Sequence, residues 1–384
     1  MQIPERATVG VVILASVALA TAAPARAQDV RVRVQVDPAV VAELQSALQD
    51  VLRSDVGREI SAAVRDAVRE TTRAIPEVAK EIGRTPGAWQ DRNFRVEQTD
   101  TEKRTLTLGA NGTLDLKNVS GDITVTAGSG RDTTVEIVRR SRGRTDADAK
   151  LGLEQVKVSV DARGERASVE AHYPNMNRPP YSVTIDYNVV APAGTHLTIR
   201  SISGDVSIKG IKTDAAVDVV SGTVKISDGG LSSATTISGD VTLMNVTTDA
   251  TVNVGSVSGE VKLDQIKCRR LSASIVSGTV AAHEITCGSA DLKSMSGDVE
   301  YSGPLAKGGR YELQTHSGDA RLTVTGSVGF DLQASTFSGE IKLTPPLQLQ
   351  GASISRHSAR GTVGDGGATV VATAFSGDVV IIKK

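Results

Sequence analysis

The stretch "TTISGDVTLMNV" (residues 235–246) sets Ser238, Gly239 and Asp240 side by side between alternating apolar residues. A serine on a glycine turn is one form a nucleophile takes, and an adjoining carboxylate is one form a hard-cation ligand takes. The triplet is not alone, however. Ser-Gly followed by Asp, Glu or Thr recurs with glycine at Gly121, Gly204, Gly222, Gly239, Gly259, Gly278, Gly297, Gly318, Gly339 and Gly377, and Gly361 in "SARGTV" reads as a degraded copy. The acids that follow, Asp205, Asp240, Glu260, Asp298, Asp319 and Glu340, would form a ladder, and stacked carboxylates can hold a cation. Thr223 and Thr279 interrupt that ladder, and the glycine-rich calcium-binding β-roll repeat is absent, so the expected use is on a turn or an outward face.

Other reactive side chains are scattered. His172, His196, His283, His316 and His357 show no ligand spacing, and "AHEI" around His283 lacks the rest of a zinc motif. His316 fills a slot that is apolar elsewhere, which predicts a core or corner role. No serine sits in a Gly-x-Ser-x-Gly elbow, and the acids are periodic rather than gathered into one pair. No catalytic, cofactor-binding or metal-binding residue is therefore expected. Cys268 follows Gly259 by nine residues and Cys287 follows Gly278 by nine, so both occupy the same slot of successive repeats. Neighbouring parallel strands put such residues about 4.8 Å apart, within disulfide range, and an oxidising compartment would permit the bond. The expectation is an inter-coil disulfide; the alternative is two stacked small apolar residues.

The elements that position these residues follow from the period. From Gly204 onward the glycines step by 16 to 22 residues, the mark of a solenoid with about 19–21 residues per coil. Counted from each glycine, apolar residues cluster at minus 7, minus 5, minus 2, plus 2, plus 4 and often plus 7, as in Val252, Val254, Val257, Val261, Leu263 and Ile266. Steps of two mark strands, and irregular steps mark corners. Two or three short strands per coil with no helix-length interval predict an all-β parallel β-helix over residues 197–384. Shared parity of minus 2, 0, plus 2 and plus 4 would turn the glycine inward and Ser and Asp outward. The terminal Lys383 and Lys384 would discourage end-to-end pairing.

The copy at Gly121 stands 83 residues before the next one. Between them the pattern predicts strands at Thr134–Val138, Val156–Val160, Ala167–Ala171 and Tyr181–Val190, a basic turn "RRSRGR" and a helix near Asp146–Glu154. Residues 92–196 are thus an α+β leader capping the solenoid. Upstream, 28–91 form an arm: a strand in "VRVRVQV", then an amphipathic helix with Val41, Leu44, Leu48, Leu52, Val56, Ile60, Val64 and Val68 on one face, and a hinge at "GRTPGAWQDRN". That face can pack on the solenoid, self-associate or lie on a membrane surface. Residues 1–27 have the charged start, short apolar run and Ala25-Arg26-Ala27 ending of a secretory signal.

A formal charge of −1 gives no electrostatic case for nucleic acid or anionic membrane, and no later segment has the length of a transmembrane helix. With only 3% aromatics, the chain offers few platforms for sugars. The successions "GTLDLKNVSGDITVTAGSGRDTTVEIVRRSRG" and "VTIDYNVVAPAGTHLTIRSISGDVSIKG", with repeated "VSGTVKI" and "SGDVTL", resemble the bacterial putative adhesin family, a domain of unknown function, over about residues 105–380. The resemblance implies a β-solenoid at the cell envelope and, by name, adhesion; it supplies no catalytic residues. The leading expectation is a non-enzymatic, exported scaffold, periplasmic or at the cell surface, that binds a protein or glycan of the envelope. An envelope-stress sensor or regulatory protein contacting a partner through its arm, and a glycan-processing β-helix enzyme, are the alternatives.

Overall fold

The computed structural model describes residues 94–174, 179–345 and 349–384, all within one compact unit, Ala62–Lys384. The expected signal segment (1–27) and helical arm with its hinge (28–91) lie outside these residues. Each coil contributes two strands, one to each of two long sheets. A short strand follows the repeat glycine, as in Val241–Met244 or Val261–Asp264, and a longer one leads into the next glycine, as in Thr251–Ser258. The short strands build a 13-stranded sheet and the longer ones a 14-stranded sheet, with parallel pairing throughout the coils.

Alternation of β-branched residues fills the space between the sheets. In the coil of Gly259, Val252, Val254 and Ser256 point inward before the corner, Val261 and Leu263 after it, and Ile266 closes the far corner; all are buried. The minus 2 residue does not join them. Ile202, Val220, Ile237, Val257 and Val276 are only half-buried and stand on the outer face, because the left-handed glycine breaks the strand alternation that the sequence pattern carried through the corner. The inward slot before the corner is minus 3, and it is often hydroxylic.

The glycines make the corner possible. Gly204, Gly222, Gly239, Gly259, Gly278, Gly297 and Gly318 have φ between +133° and +147°. A Cβ on each would also lie within 1.7–2.4 Å of the carbonyl oxygen of the glycine one layer back. Neither the angle nor the space admits another residue. The glycine carbonyls point along the stack, and hydroxyls at minus 3 of the next coil cap them: Thr236 donates to Gly222, Ser256 to Gly239, Ser294 to Gly278 and Thr315 to Gly297, at 2.8–3.4 Å. The far corner also turns through left-handed backbone, at Asp228, Asn245, Gln265 and Glu284 (φ +52° to +57°).

The N-terminal cap imitates a coil. Gly121 stacks on the Ile185 carbonyl, and strand Tyr181–Pro192 pairs with Ile123–Gly128 and, antiparallel, with Thr133–Gly143. Strand Thr133–Gly143 extends through most of the segment expected as a basic turn, and three of its four arginines form ion pairs there: Arg139 with Asp100, Arg140 with Asp186 and Arg142 with Glu97. The helix spans Asp146–Gln155, with the Thr145 side chain capping Asp148 N–H and Arg139 donating to the carbonyls of Leu153 and Val156 at its far end.

At the other end, the order of the coils departs from the order of the chain. After the coil of Gly318, the chain skips one layer to build the coil of Gly339. It then makes an antiparallel hairpin, Gln350–Ile354 with Ser358–Val363, and returns to lay Ala368–Ser376 and Val379–Lys383 in the gap. Gly377 consequently stacks on Gly318, and Gly339 on Gly377. Gly361 is in the hairpin strand and not at a corner, and the strand ending at Lys383 is an interior one, so the terminal lysines do not guard the open end. We predict that Gly239→Val destabilises the fold by roughly 4 kcal/mol through combined backbone strain and overlap, whereas Ser238→Ala, at an exposed site, shifts stability by less than about 0.5 kcal/mol. Urea unfolding of the two variants measures the difference.

Candidate interaction surface

Most of the acids after the repeat glycines are joined to the next coil by hydrogen bonds. An aspartate carboxylate in one coil accepts the backbone N–H of the equivalent residue in the next: Asp122 from Asp205, Asp205 from Thr223, Asp240 from Glu260, Asp298 from Asp319, Asp319 from Asp378, and Asp378 from Glu340, all at 2.8–2.9 Å. Asp186 of the cap starts the series by accepting from Asp122 at 3.0 Å. Glu260 and Glu340, one methylene longer, turn instead to Lys262 (2.8 Å) and Arg356 (3.1 Å). Asp122 and Asp378 follow repeat glycines and so carried the same motif as the expected set; Asp186 carried no signal in the sequence. Among the described residues no group of three or more His, Cys, Asp or Glu side chains is placed to hold a metal ion.

Cys268 and Cys287 sit opposite each other in neighbouring coils, with Cα atoms 4.7 Å apart, and are joined by a disulfide. The structure leaves the histidines dispersed. His172 shares a hydrogen bond with Ser159 (2.8 Å), and His316, expected in the core or a corner, is exposed on the outer face of the long-strand sheet.

His316 belongs to the feature of this face that the repeat creates. The minus 2 residues are stacked in register from Ile202 through Val220, Ile237, Val257, Val276 and Met295, giving a half-buried apolar row along the outside of the sheet. The row then turns aromatic. His316 stacks on Phe375 at 4.7 Å and 11°, and Phe375 on Phe337 at 4.8 Å and 3°. Phe337 is 72% exposed. Two of the chain's four phenylalanines thus stand in a surface stack, where the coil spacing itself sets the ring separation. Beside the row, Lys293 and Asp291 form a nearly buried pair at 3.0 Å on the same face. The sequence showed the apolar minus 2 residues but assigned them to the core. Behind the far corner, a shallow polar groove lined by Asn245, Gln265, Lys267, Glu284 and Pro304 opens where the short strands lengthen from four residues, as in Val280–His283, to six in Val299–Pro304.

A stack of two-stranded coils with glycine corners, a capped start and a continuous surface row defines a β-solenoid, with its recurring residues spent on architecture. The chain belongs to the Toastrack DUF4097 family, whose model matches residues 111–382, in agreement with the resemblance carried by its sequence. No curated protein matches the chain. Among solved structures, a protein of Bacteroides fragilis described as a putative adhesin is 13% identical over 74% of this chain and 97% of its own, with a TM-score of 0.39. A Parabacteroides distasonis protein described as a putative lipid binding protein is 10% identical over 74% and 97%, with a TM-score of 0.40. No helix among the described residues is long and apolar enough to cross a membrane.

Two predictions follow from the ladder and the cysteines. Without reductant, alkylation should leave Cys268 and Cys287 unmodified in the mass spectrum, and the Cys268→Ser, Cys287→Ser double variant should lose about 3 kcal/mol, the usual effect of closing a loop of this size. Asp378 is held below the ordinary carboxylate range by its bond to Lys342 and then by the Glu340 N–H, and Asp365 by the N–H groups of Gly329 and Gly367. A carboxylate depressed in this way stabilises the fold fully above its unfolded pKa of about 4, and that stabilisation is lost as pH falls through the lower folded value. Hydrogen exchange on acidification should therefore show residues 327–383 losing protection before residues 196–300. Simultaneous loss in both regions would count against this assignment.

Proposed function

We propose that this chain is a non-enzymatic exported scaffold of the cell envelope that adheres to or docks a partner through the outer face of its long-strand sheet. The observation that carries the reading is the apolar row ending in the His316–Phe375–Phe337 stack. Apolar and aromatic side chains aligned on a rigid surface are the kind of feature from which binding hot spots are made. Spread over successive coils, the row suits an elongated protein or glycan better than a small molecule. The periodic aspartates are engaged with backbone N–H groups and Glu260 and Glu340 with Lys262 and Arg356, which leaves them ill suited to acid–base chemistry. Export is supported by the secretory pattern of residues 1–27 and by the disulfide, which persists in oxidising compartments.

Binding of the purified chain to isolated bacterial envelopes tests the proposal. Saturable binding is expected, and the double variant Phe337→Ser, Phe375→Ser should weaken it by about tenfold or more while the melting temperature changes little, because both rings are outside the core. Equal binding by the variant and the parent would remove the row from the function.

A further inference from the structure

Among the described residues, four strands stand at the ends of the two sheets with one edge unpaired: Val96–Leu106 and Ile341–Thr344 in the short-strand sheet, Lys157–Arg163 and Gln350–Ile354 in the long-strand sheet. An open strand edge is a template for another strand, and folded proteins blunt it with charge, proline or brevity. Three of the four are blunted. Val96–Leu106 carries Glu97, Asp100, Glu102, Lys103 and Arg104; Lys157–Arg163 carries Lys157, Asp161 and Arg163; Ile341–Thr344 is four residues long, carries Lys342 and runs into Pro345.

Gln350–Ile354, "QGASI", has no charge and no proline, and every residue in it is exposed. Its inner edge pairs with Ser358–Val363, with one slip in register between Gln350 and Ser353. The hairpin also overhangs. The short-strand sheet ends at Ile341–Thr344, while the long-strand sheet continues for two more strands. Ile354 pairs with Ala359, which is fully buried, so it lies on the core side of the sheet; with no short strand beneath it, it is 58% exposed. An unguarded edge and an uncovered core-side isoleucine thus meet at one end of the solenoid.

We propose that a second copy of this chain adds at Gln350–Ile354, antiparallel across a two-fold axis, so that the two long-strand sheets join into one. A copy of the same end fits for three reasons. The segment opposes itself without like charges. Its partner brings an identical overhang, so each uncovered Ile354 is buried against the other copy's hairpin. A two-fold contact satisfies both edges and closes, leaving no edge at that end for further growth. The strand is short and its register slips once, so the dimer is weak and dependent on concentration. The proposal does not rest on the adhesive row, which lies on the outer face.

Sedimentation velocity of the full chain across a concentration series reaching the high-micromolar range tests it. A monomer–dimer equilibrium is expected, with Ile354→Lys and Ala352→Lys each shifting it to monomer while the circular dichroism spectrum and melting temperature stay as in the parent. Glu97→Ala, at the opposite end, should leave it unchanged. A chain that remains monomeric throughout the series, or a dimer that both lysine variants leave intact, would overturn the proposal. The second of these outcomes would place self-association elsewhere in the chain.

Discussion

The solenoid hangs on one close approach: from Gly204 onward, each corner glycine lies so near the carbonyl oxygen of the glycine in the layer behind it that a Cβ would collide with it. That contact fixes the corner, and the corner fixes which residues face inward on either side of it. Because the glycine carbonyl is turned along the stack, it leaves the usual strand ladder, and a buried serine or threonine three residues before the next glycine donates to it at Gly222, Gly239, Gly278, Gly297 and Gly377, whereas Val219, Ile275 and Ala374 fill that slot over Gly204, Gly259 and Gly318. Because the following residue's N–H is turned the same way, a short carboxylate from the neighbouring coil can reach it. The Ser/Thr row inside and the aspartate row outside are therefore two answers to one backbone geometry, each satisfying groups that a simple strand would have paired.

The same geometry throws the minus 2 residue to the outside. A strand that continued straight through the corner would bury it; the left-handed glycine does not allow that. The consequence is an apolar row that no layer of the solenoid can cover, lengthened with every added coil. Sequence alone made Val257 and Val261 look equivalent, since both are valines two residues from Gly259. They are equivalent in spacing and opposite in direction. The coil period, the two-residue alternation, the glycine corners and the shared slot of Cys268 and Cys287 could all be read from spacing, because each is a local property. The direction of Val257 could not, since it depends on a backbone angle that spacing does not report.

The position of the last coil was hidden for a different reason. Residues 368–383 carry the same alternation and the same Ser-Gly-Asp corner as any other coil, so nothing in their sequence distinguishes a place at the end from a place one layer in. What decides it is the antiparallel hairpin before them, which occupies the end of the long-strand sheet and leaves the vacant layer behind it. Asp186 was hidden likewise: its role as the first member of the acid ladder comes from a cap strand that borrows the position of a coil without its motif.

That arrangement makes the far end depend on a single layer. Strand Ile341–Thr344 pairs with Val379–Lys383 and with no other strand, and Phe330–Ser338 touches the body of the solenoid's sheet only across Ala368–Ser376. The outer coil and its hairpin are thus held to the rest of the solenoid through residues 368–383, so that the layer one place in from the end acts as a keystone for everything beyond it.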